Sequence, residues 1–177
     1  MVPDNWALTT ALGVQAAQNG KLAEAAEILR SVVERGPSAA VAAAAFPLGQ
    51  VLMQLGDTAA AMTALRRAAA AEDGLVAATA WARIGLALED DGDGDVAAYQ
   101  KAMSGPDSDP GTRSAIRLGA LRRDQGDLDA AERAYRFATG SADPEHRGRA
   151  YPVRARPQLE RVAARSGRAG SVNGFTA

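Results

Sequence analysis

Hydrophobic residues recur along this chain at the spacing of amphipathic helices. In the first stretch they fall at Trp6, Leu8, Leu12 and Ala16, and then at Leu22, Ala25, Ala26, Leu29 and Val33. Residues spaced i, i+3, i+4 and i+7 share one face of a helix, and no run with the two-residue alternation of a strand competes with this pattern. The pattern predicts an all-α protein.

A short motif returns four times and divides the helical pattern into units. It begins with a Leu-Gly or Ile-Gly pair, at Leu12-Gly13, Leu48-Gly49, Ile84-Gly85 and Leu118-Gly119. The spacings are 36, 36 and 34 residues, a second glycine follows the first after seven residues, and an alanine comes five residues later. Each unit therefore predicts helix, tight turn, helix, and a fixed period of this length is typical of a solenoid.

The residue types of the motif have physical reasons. The first glycine lies inside a helix, where glycine costs about 1 kcal/mol relative to alanine, so it indicates a close approach of the partner helix. The second glycine predicts a left-handed turn, and an aspartate after it can cap the next helix. We expect the alanines to form the narrow contact within each pair, at Ala25, Ala61, Ala97 and Ala131.

Irregular positions predict local departures from this regular array. Pro47 falls in a helix interior and predicts a kink near Ala43. In the third unit Lys101 stands where a large apolar residue is expected, while Tyr99 comes two residues early, so its second helix should be short. Asp4 and Ser38 are candidate caps of the first and third helices, and Asp109-Pro110 predicts the start of another.

The motif resembles that of the tetratricopeptide repeat family, over about residues 4–144. The shared features are an aromatic residue before the Leu-Gly pair, a Gly-Asp turn, and then Ala, Tyr and a late Pro; they are clearest at Trp81, Gly92-Asp93, Gly126-Asp127, Tyr135 and Pro144. The resemblance implies a right-handed α-α superhelix of antiparallel helix pairs. We expect four pairs over about residues 4–37, 38–73, 74–109 and 110–144, and then a basic segment at 145–177 with a short C-terminal capping helix near 158–165 and a flexible tail.

The resemblance also implies a function, a protein-protein interaction scaffold whose first helices line a concave groove for a peptide or helix of a partner. Spacing from each Leu-Gly pair predicts twelve residues on the groove face. They are Thr10, Val14, Gln18, Phe46, Gln50, Met53, Gln54, Leu86, Glu89, Arg113, Ile116 and Arg123, and the same spacing adds Thr79, Asp90 and Asp124 to that face. Some relatives grip an acidic C-terminal tail with Lys, Arg and Asn, but here Thr10, Val14 and Pro47 stand at positions that would need such residues, and only Arg83 fits. The positive charge of Arg113, Arg117 and Arg123 still leaves a ligand with an acidic terminus open.

Charge leaves two alternatives open. Residues 1–144 carry 13 basic and 19 acidic residues, whereas 145–177 carry 7 and 2. The tail could therefore occupy its own or a neighbour's groove, which would make the protein a self-associating or regulatory module and a homo-oligomer. Its arginines also suggest nucleic-acid contact, but the acidic body and the lack of interleaved aromatics disfavour that interpretation.

No cofactor, metal or catalytic activity is expected. The Asp91–Asp95 run begins like a calcium loop, but Val96 and Ala102 occupy the positions of its required Gly and Glu. The single histidine, His146, has no cysteine beside it, since the chain contains none, and no nucleophile motif accompanies it. No apolar run is long enough to span a bilayer and the first ten residues lack a basic start, so we expect a cytoplasmic protein without membrane contact.

Overall fold

The computed structural model describes residues 5–89, 96–105 and 109–140, and these residues form eight α-helices and no strand. The helices are α1 (Trp6–Gln18), α2 (Leu22–Arg35), α3 (Ser38–Gln54), α4 (Thr58–Ala69), α5 (Gly74–Glu89), α6 (Val96–Met103), α7 (Asp109–Asp124) and α8 (Leu128–Gly140). The prediction of an all-α solenoid is confirmed. The expected capping helix near 158–165, the Asp91–Asp95 run and His146 lie outside the described residues.

The helices form two layers in chain order. Each helix packs against its neighbours in the chain, and further contacts join α1 to α3, α3 to α5 and α5 to α7. Among the described residues no comparable contact joins the second helices α2, α4, α6 and α8 to one another. Since the first helices approach each other more closely than the second helices do, the array bends toward the layer of α1, α3, α5 and α7.

The turns within the pairs follow the motif. Gly20, Gly56 and Gly126 have φ of 76°, 82° and 84°, a conformation that glycine adopts without a Cβ clash. The carboxylates of Asp57 and Asp127 then accept hydrogen bonds of 3.0 Å from the backbone N–H groups of Ala60 and Ala130. The predicted turn glycines and caps are confirmed at these positions, and the third turn, at Gly92, lies outside the described residues.

The glycines of the Leu-Gly pairs face large side chains of the second helix. A Cβ on Gly49 would lie 2.7 Å from Leu65 Cγ, and one on Gly119 would lie 2.5 Å from Tyr135 Cε1. Gly13 and Gly85 face Leu29 and Tyr99 in the same way. The close approach predicted for these glycines is confirmed, and the partner is a buried side chain that crosses the inside of the pair.

The third unit has a shifted register. Tyr99 follows Gly85 by 14 residues, whereas Leu65 follows Gly49 by 16, so two residues are missing between α5 and the body of α6. The short α6 that the sequence predicts is confirmed, but the position given to Ala97 was wrong: Ala97 is exposed and Ala98 is fully buried. Lys101 points outward and its Nζ lies 4.0 Å from the ring centroid of Trp81.

The first helix is less buried than its repeats. Leu12 is 48 % exposed, whereas Leu48 and Ile84 at the same motif position are 4 % and 2 % exposed. The physical reason is that the preceding pair covers this face in later units, and no described helix precedes α1. Leu8, also expected on the buried face of the first helix, is likewise exposed.

Three further local predictions have a direct outcome. Asn5 caps α1 by accepting a 3.0 Å hydrogen bond from the Leu8 N–H, the role expected of Asp4. Ser38 is the first residue of α3 and the residue before it is Pro37, so the predicted Ser38 cap is wrong. Helix α3 continues through Pro47 as one helix, and α7 begins at Asp109 as the Asp-Pro pair predicts.

The core is built from small and aliphatic side chains, with Leu29, Leu65, Tyr99 and Tyr135 as its largest fully buried residues. It runs along the array between the two layers. None of the helices described is long and apolar enough to cross a bilayer.

Candidate functional site

A cavity of about 440 Å³ opens on the layer of first helices, where α3, α5 and α7 meet. Its size falls within the range of ordinary ligand pockets, about 300–1,000 Å³. The residues that line it are Phe46, Gln50, Thr79, Ala82, Arg83, Leu86, Tyr99, Pro110, Arg113, Ser114 and Arg117. All of these except Tyr99, which lies on α6, come from the three first helices.

The repeat explains why these residues converge. On each helix they are three, four or seven residues apart and so share a face. The same motif positions return in successive units: Ala82 follows Phe46 by 36 residues, and Arg117 follows Arg83 by 34. The stacked helices therefore present equivalent positions side by side, and the chemistry of the cavity depends on which side chain each unit places there.

The lining is positively charged. It contains Arg83, Arg113 and Arg117, and no acidic residue lies among the residues that line the cavity. Arg117 is paired, because its Nη1 lies 2.9 Å from Oε2 of Glu89 at the end of α5. Arg83 and Arg113 make no ion pair or hydrogen bond with any residue in the described part of the chain.

Glu89 also links two units through Tyr99. The Tyr99 hydroxyl donates a 2.5 Å hydrogen bond to Oε1 of Glu89, so that this carboxylate joins α6 to Arg117 on α7. Burial of the phenol raises the pKa of Tyr99 well above its ordinary value, and the hydrogen bond and negative charge of Glu89 raise it further. The hydroxyl therefore stays protonated and acts as a fixed donor.

Most of the remaining polar groups in the lining are already satisfied. The Ser114 hydroxyl donates to the Pro110 carbonyl at 2.7 Å, and the Thr79 hydroxyl donates to the Leu75 carbonyl at 2.7 Å. Gln50 has no such bond within the described residues. The groups available to a ligand are therefore the Gln50 amide, the two unpaired arginines and the apolar surfaces of Phe46 and Leu86.

The structure brings together some of the residues that the sequence predicts for the groove. Phe46, Gln50, Leu86 and Arg113 line the cavity, as does Thr79 on the same predicted face. Glu89 is not in the lining, but it bonds to two lining residues, Tyr99 and Arg117.

The other predicted groove residues lie elsewhere on the first helices. Thr10 donates its hydroxyl to the Trp6 carbonyl of its own helix, Met53 packs half-buried against the core, and Arg123 bonds to Asp124 at 2.7 and 2.9 Å. None of the remaining four lines the cavity: Val14, Gln18, Gln54 and Ile116.

Several lining residues were absent from the prediction, namely Ala82, Arg83, Tyr99, Pro110, Ser114 and Arg117. A usable signal existed for two of them. Arg83 and Arg117 both come two residues before the glycine of a Leu-Gly pair, so the repeat alone places them on the same face. For Tyr99 the sequence indicated the two-residue shift, but not that the side chain reaches the cavity.

No group of three or more His, Cys, Asp or Glu side chains suited to a metal ion occurs in the part of the chain that the structure describes. The cavity therefore offers charge, amide and apolar contacts to a ligand.

Comparisons with known proteins agree with the repeat architecture. A sequence model described as tetratricopeptide repeat matches residues 1–40 and 46–111. A crystal structure of MamA is similar over 85 % of this chain and 84 % of its own, with a TM-score of 0.65 and 25 % sequence identity. No curated protein sequence matches the chain significantly.

Two other MamA structures share the fold at lower identity. One covers 97 % of this chain and 98 % of its own, with a TM-score of 0.60 and 16 % identity. The other, of MamA AMB-1, covers 97 % and 93 %, with a TM-score of 0.55 and 19 % identity.

Proposed function

Since the chain belongs to the tetratricopeptide repeat family, whose members generally serve as non-catalytic interaction scaffolds, we propose that it binds an extended segment of another protein against its first helices. The observation that carries this proposal is the cavity between α3, α5 and α7. It lies on the side toward which the array bends, and it is lined almost entirely by first helices.

The lining suits a peptide because it combines apolar anchors with a free amide. Phe46 and Leu86 offer apolar surface to a buried side chain of the ligand, which is the kind of contact that dominates binding energy. The Gln50 amide has donors and an acceptor for the ligand backbone, which an extended peptide exposes along its whole length.

Catalysis finds no support in the same lining. The hydroxyls of Ser114 and Thr79 are bonded to helix carbonyls, and the raised pKa of Tyr99 keeps its hydroxyl protonated. A nucleophile requires an adjacent base to activate it, and no such pair lies among the described lining residues. Binding without chemistry is therefore the function that this cavity supports best.

Replacing Ala82 with Gln tests the assignment. Ala82 lines the cavity, so a longer neutral side chain fills it without altering the charge or removing a core contact. Peptides of about twelve residues, which span roughly 40 Å when extended, are selected on the wild-type chain from a displayed random library. We expect Ala82→Gln to weaken the binding of the selected peptides by about tenfold or more, as a rise in Kd measured by fluorescence anisotropy.

The matched control is Ala59→Gln on α4, where the same side chain is added to an exposed position in the other layer. This variant should bind the selected peptides as the wild type does, and circular dichroism should show the same helicity for all three proteins. If no peptide is recovered, or if Ala82→Gln binds the peptides unchanged, the cavity is not the binding site.

A further inference from the structure

The unpaired arginines of the cavity give it a charge preference. Arg83 on α5 and Arg113 on α7 both line the cavity, and neither has a carboxylate partner among the described residues. Arginine is a planar fork of donors that matches a carboxylate in a bidentate arrangement. Two such groups, on α5 and α7, therefore line one cavity, and no carboxylate of the described residues is paired with either of them.

The third arginine has a different role. Arg117 is neutralised by Glu89, and Glu89 is held from its other oxygen by the Tyr99 hydroxyl. This three-residue bridge fixes the wall of the cavity between α5, α6 and α7. The excess positive charge in the lining therefore comes from Arg83 and Arg113.

Another part of the lining is apolar. Phe46, Ala82 and Leu86 occupy equivalent or neighbouring positions on α3 and α5. An apolar wall lowers the local dielectric, which strengthens the attraction between an arginine and an incoming carboxylate. A bulky apolar side chain of the ligand would cover this wall while a neighbouring acidic side chain reaches the arginines.

We infer that the cavity selects peptide segments in which an Asp or Glu side chain lies next to a large apolar residue, with Arg83 and Arg113 as the groups that determine this specificity. The inference rests on the proposed function, because it names the partner class of the same site.

Charge also decides against two other occupants. Residues 145–177 carry 7 basic and 2 acidic residues, so the chain's own tail has the same sign as the cavity. A nucleic acid would be attracted by arginines, but single strands are bound along an extended basic groove with exposed aromatic rings for stacking. Here the lining has three arginines and no exposed row of aromatic rings, and residues 1–144 carry 13 basic and 19 acidic residues.

The test uses the full chain and those selected peptides whose binding is weakened by Ala82→Gln. The peptides are synthesised with a C-terminal amide, so that their side chains are the only source of carboxylate. We expect these peptides to be enriched in Asp or Glu beside a large apolar residue. The double variant Arg83→Gln/Arg113→Gln should bind them at least about tenfold more weakly, a loss of about 1.4 kcal/mol. The control Arg66→Gln/Arg67→Gln removes two exposed charges from α4 and should bind as the wild type does.

A second measurement separates direct contact from a general effect of charge. Replacing the acidic residue of the peptide by its amide should weaken binding to the wild type, but should add little to the loss already caused by Arg83→Gln/Arg113→Gln, since coupled partners are not additive. Additive losses, or equal losses in the two double variants, would overturn the inference.

The outcomes also separate this inference from the proposed function. The selected peptides could lose affinity for Ala82→Gln and yet carry no acidic residue, or bind Arg83→Gln/Arg113→Gln as tightly as the wild type. Either result would support a peptide-binding cavity but refute its acidic preference. An oligothymidine of about twenty nucleotides serves as the competing probe. If it binds the wild type and loses that binding in Arg83→Gln/Arg113→Gln, the arginines serve a nucleic acid and the inference is refuted.

Discussion

Tyr99 shows how one residue serves both the core and the binding surface. Its ring packs over Gly85 at the centre of the third pair, and its hydroxyl reaches Glu89 at the edge of the cavity. The residue as a whole is 1 % exposed. In the other units Leu29, Leu65 and Tyr135 take the equivalent place, and compared with the two leucines the phenol of Tyr99 adds a hydrogen-bond donor to a packing position.

Replacing Tyr99 with Phe should change the response of the protein to alkaline pH. Because burial and Glu89 raise the pKa of Tyr99, the folded state keeps the proton that the unfolded chain releases above about pH 10. Stability is therefore present below that pH and is lost as the pH rises further. Urea unfolding between pH 7 and 11 should show a shallower alkaline decline in Tyr99→Phe than in the wild type.

At pH 7 the same variant should lose about 1 kcal/mol, the usual net contribution of a hydrogen bond. Tyr135→Phe is the companion variant, because burial also raises the pKa of Tyr135, and the double variant should have the shallowest decline. Identical alkaline curves for Tyr99→Phe and the wild type would show that the phenol does not titrate as its surroundings indicate.

At the scale of the element, the second helices differ in how they begin. Asp57 and Asp127 cap α4 and α8 through side-chain hydrogen bonds, whereas Lys21 stands at the same place before α2 and makes no such bond. Ammonium has no acceptor for the free N–H groups of a first turn, while a carboxylate has two and also complements the helix dipole.

Asp57→Ala should therefore lower the free energy of unfolding by about 1 kcal/mol, within the usual range for the loss of an N-cap. Lys21→Ala is the matched control, and we expect a change of less than about 0.5 kcal/mol because its ion pair with Glu24 is exposed. Both values come from urea denaturation of the full chain. Equal losses of unfolding free energy in the two variants would show that the hydrogen bond of Asp57 does not stabilise α4.

At the scale of the whole molecule, stability is expected to be local. The extensive contacts of each described helix reach only the next helix and the next but one. In such an array the energy is approximately a sum over units and their interfaces, so a defect at one end is felt weakly at the other.

The variants Gly119→Ala and Gly13→Ala test whether stability is local, the first in the pair α7–α8 and the second in the pair α1–α2. A Cβ on Gly119 would lie 2.5 Å from Tyr135, and one on Gly13 would lie 2.7 Å from Leu29. Overpacking of this kind costs about 1–3 kcal/mol, partly offset by the better helix propensity of alanine. Amide hydrogen exchange should accelerate in α7 and α8 for Gly119→Ala, and in α1 and α2 for Gly13→Ala. Faster exchange throughout the chain in either variant would indicate one cooperative core.

The repeat motif let the sequence alone determine the helical class, the turns at Gly20, Gly56 and Gly126, and the glycines that face a partner helix. These features are local, because a positive φ or a missing Cβ requires glycine wherever the unit occurs. For the same reason, spacing from the Leu-Gly pairs placed Phe46, Gln50, Leu86 and Arg113 on one helix face, and the structure has all four in the lining of the cavity.

Only the tertiary structure decided which of those positions meet. The cavity depends on how α3, α5 and α7 stack. Spacing in the sequence assigns Met53 and Arg123 to the same helix face as the lining residues, but neither residue lines the cavity. Tyr99 lies over Gly85 and also lines the cavity, and Leu12 is exposed because no described helix packs against its face from the side that an earlier pair covers in later units. Such outcomes arise from contacts between units, and a period read along one chain carries no information about which neighbour a side chain will meet.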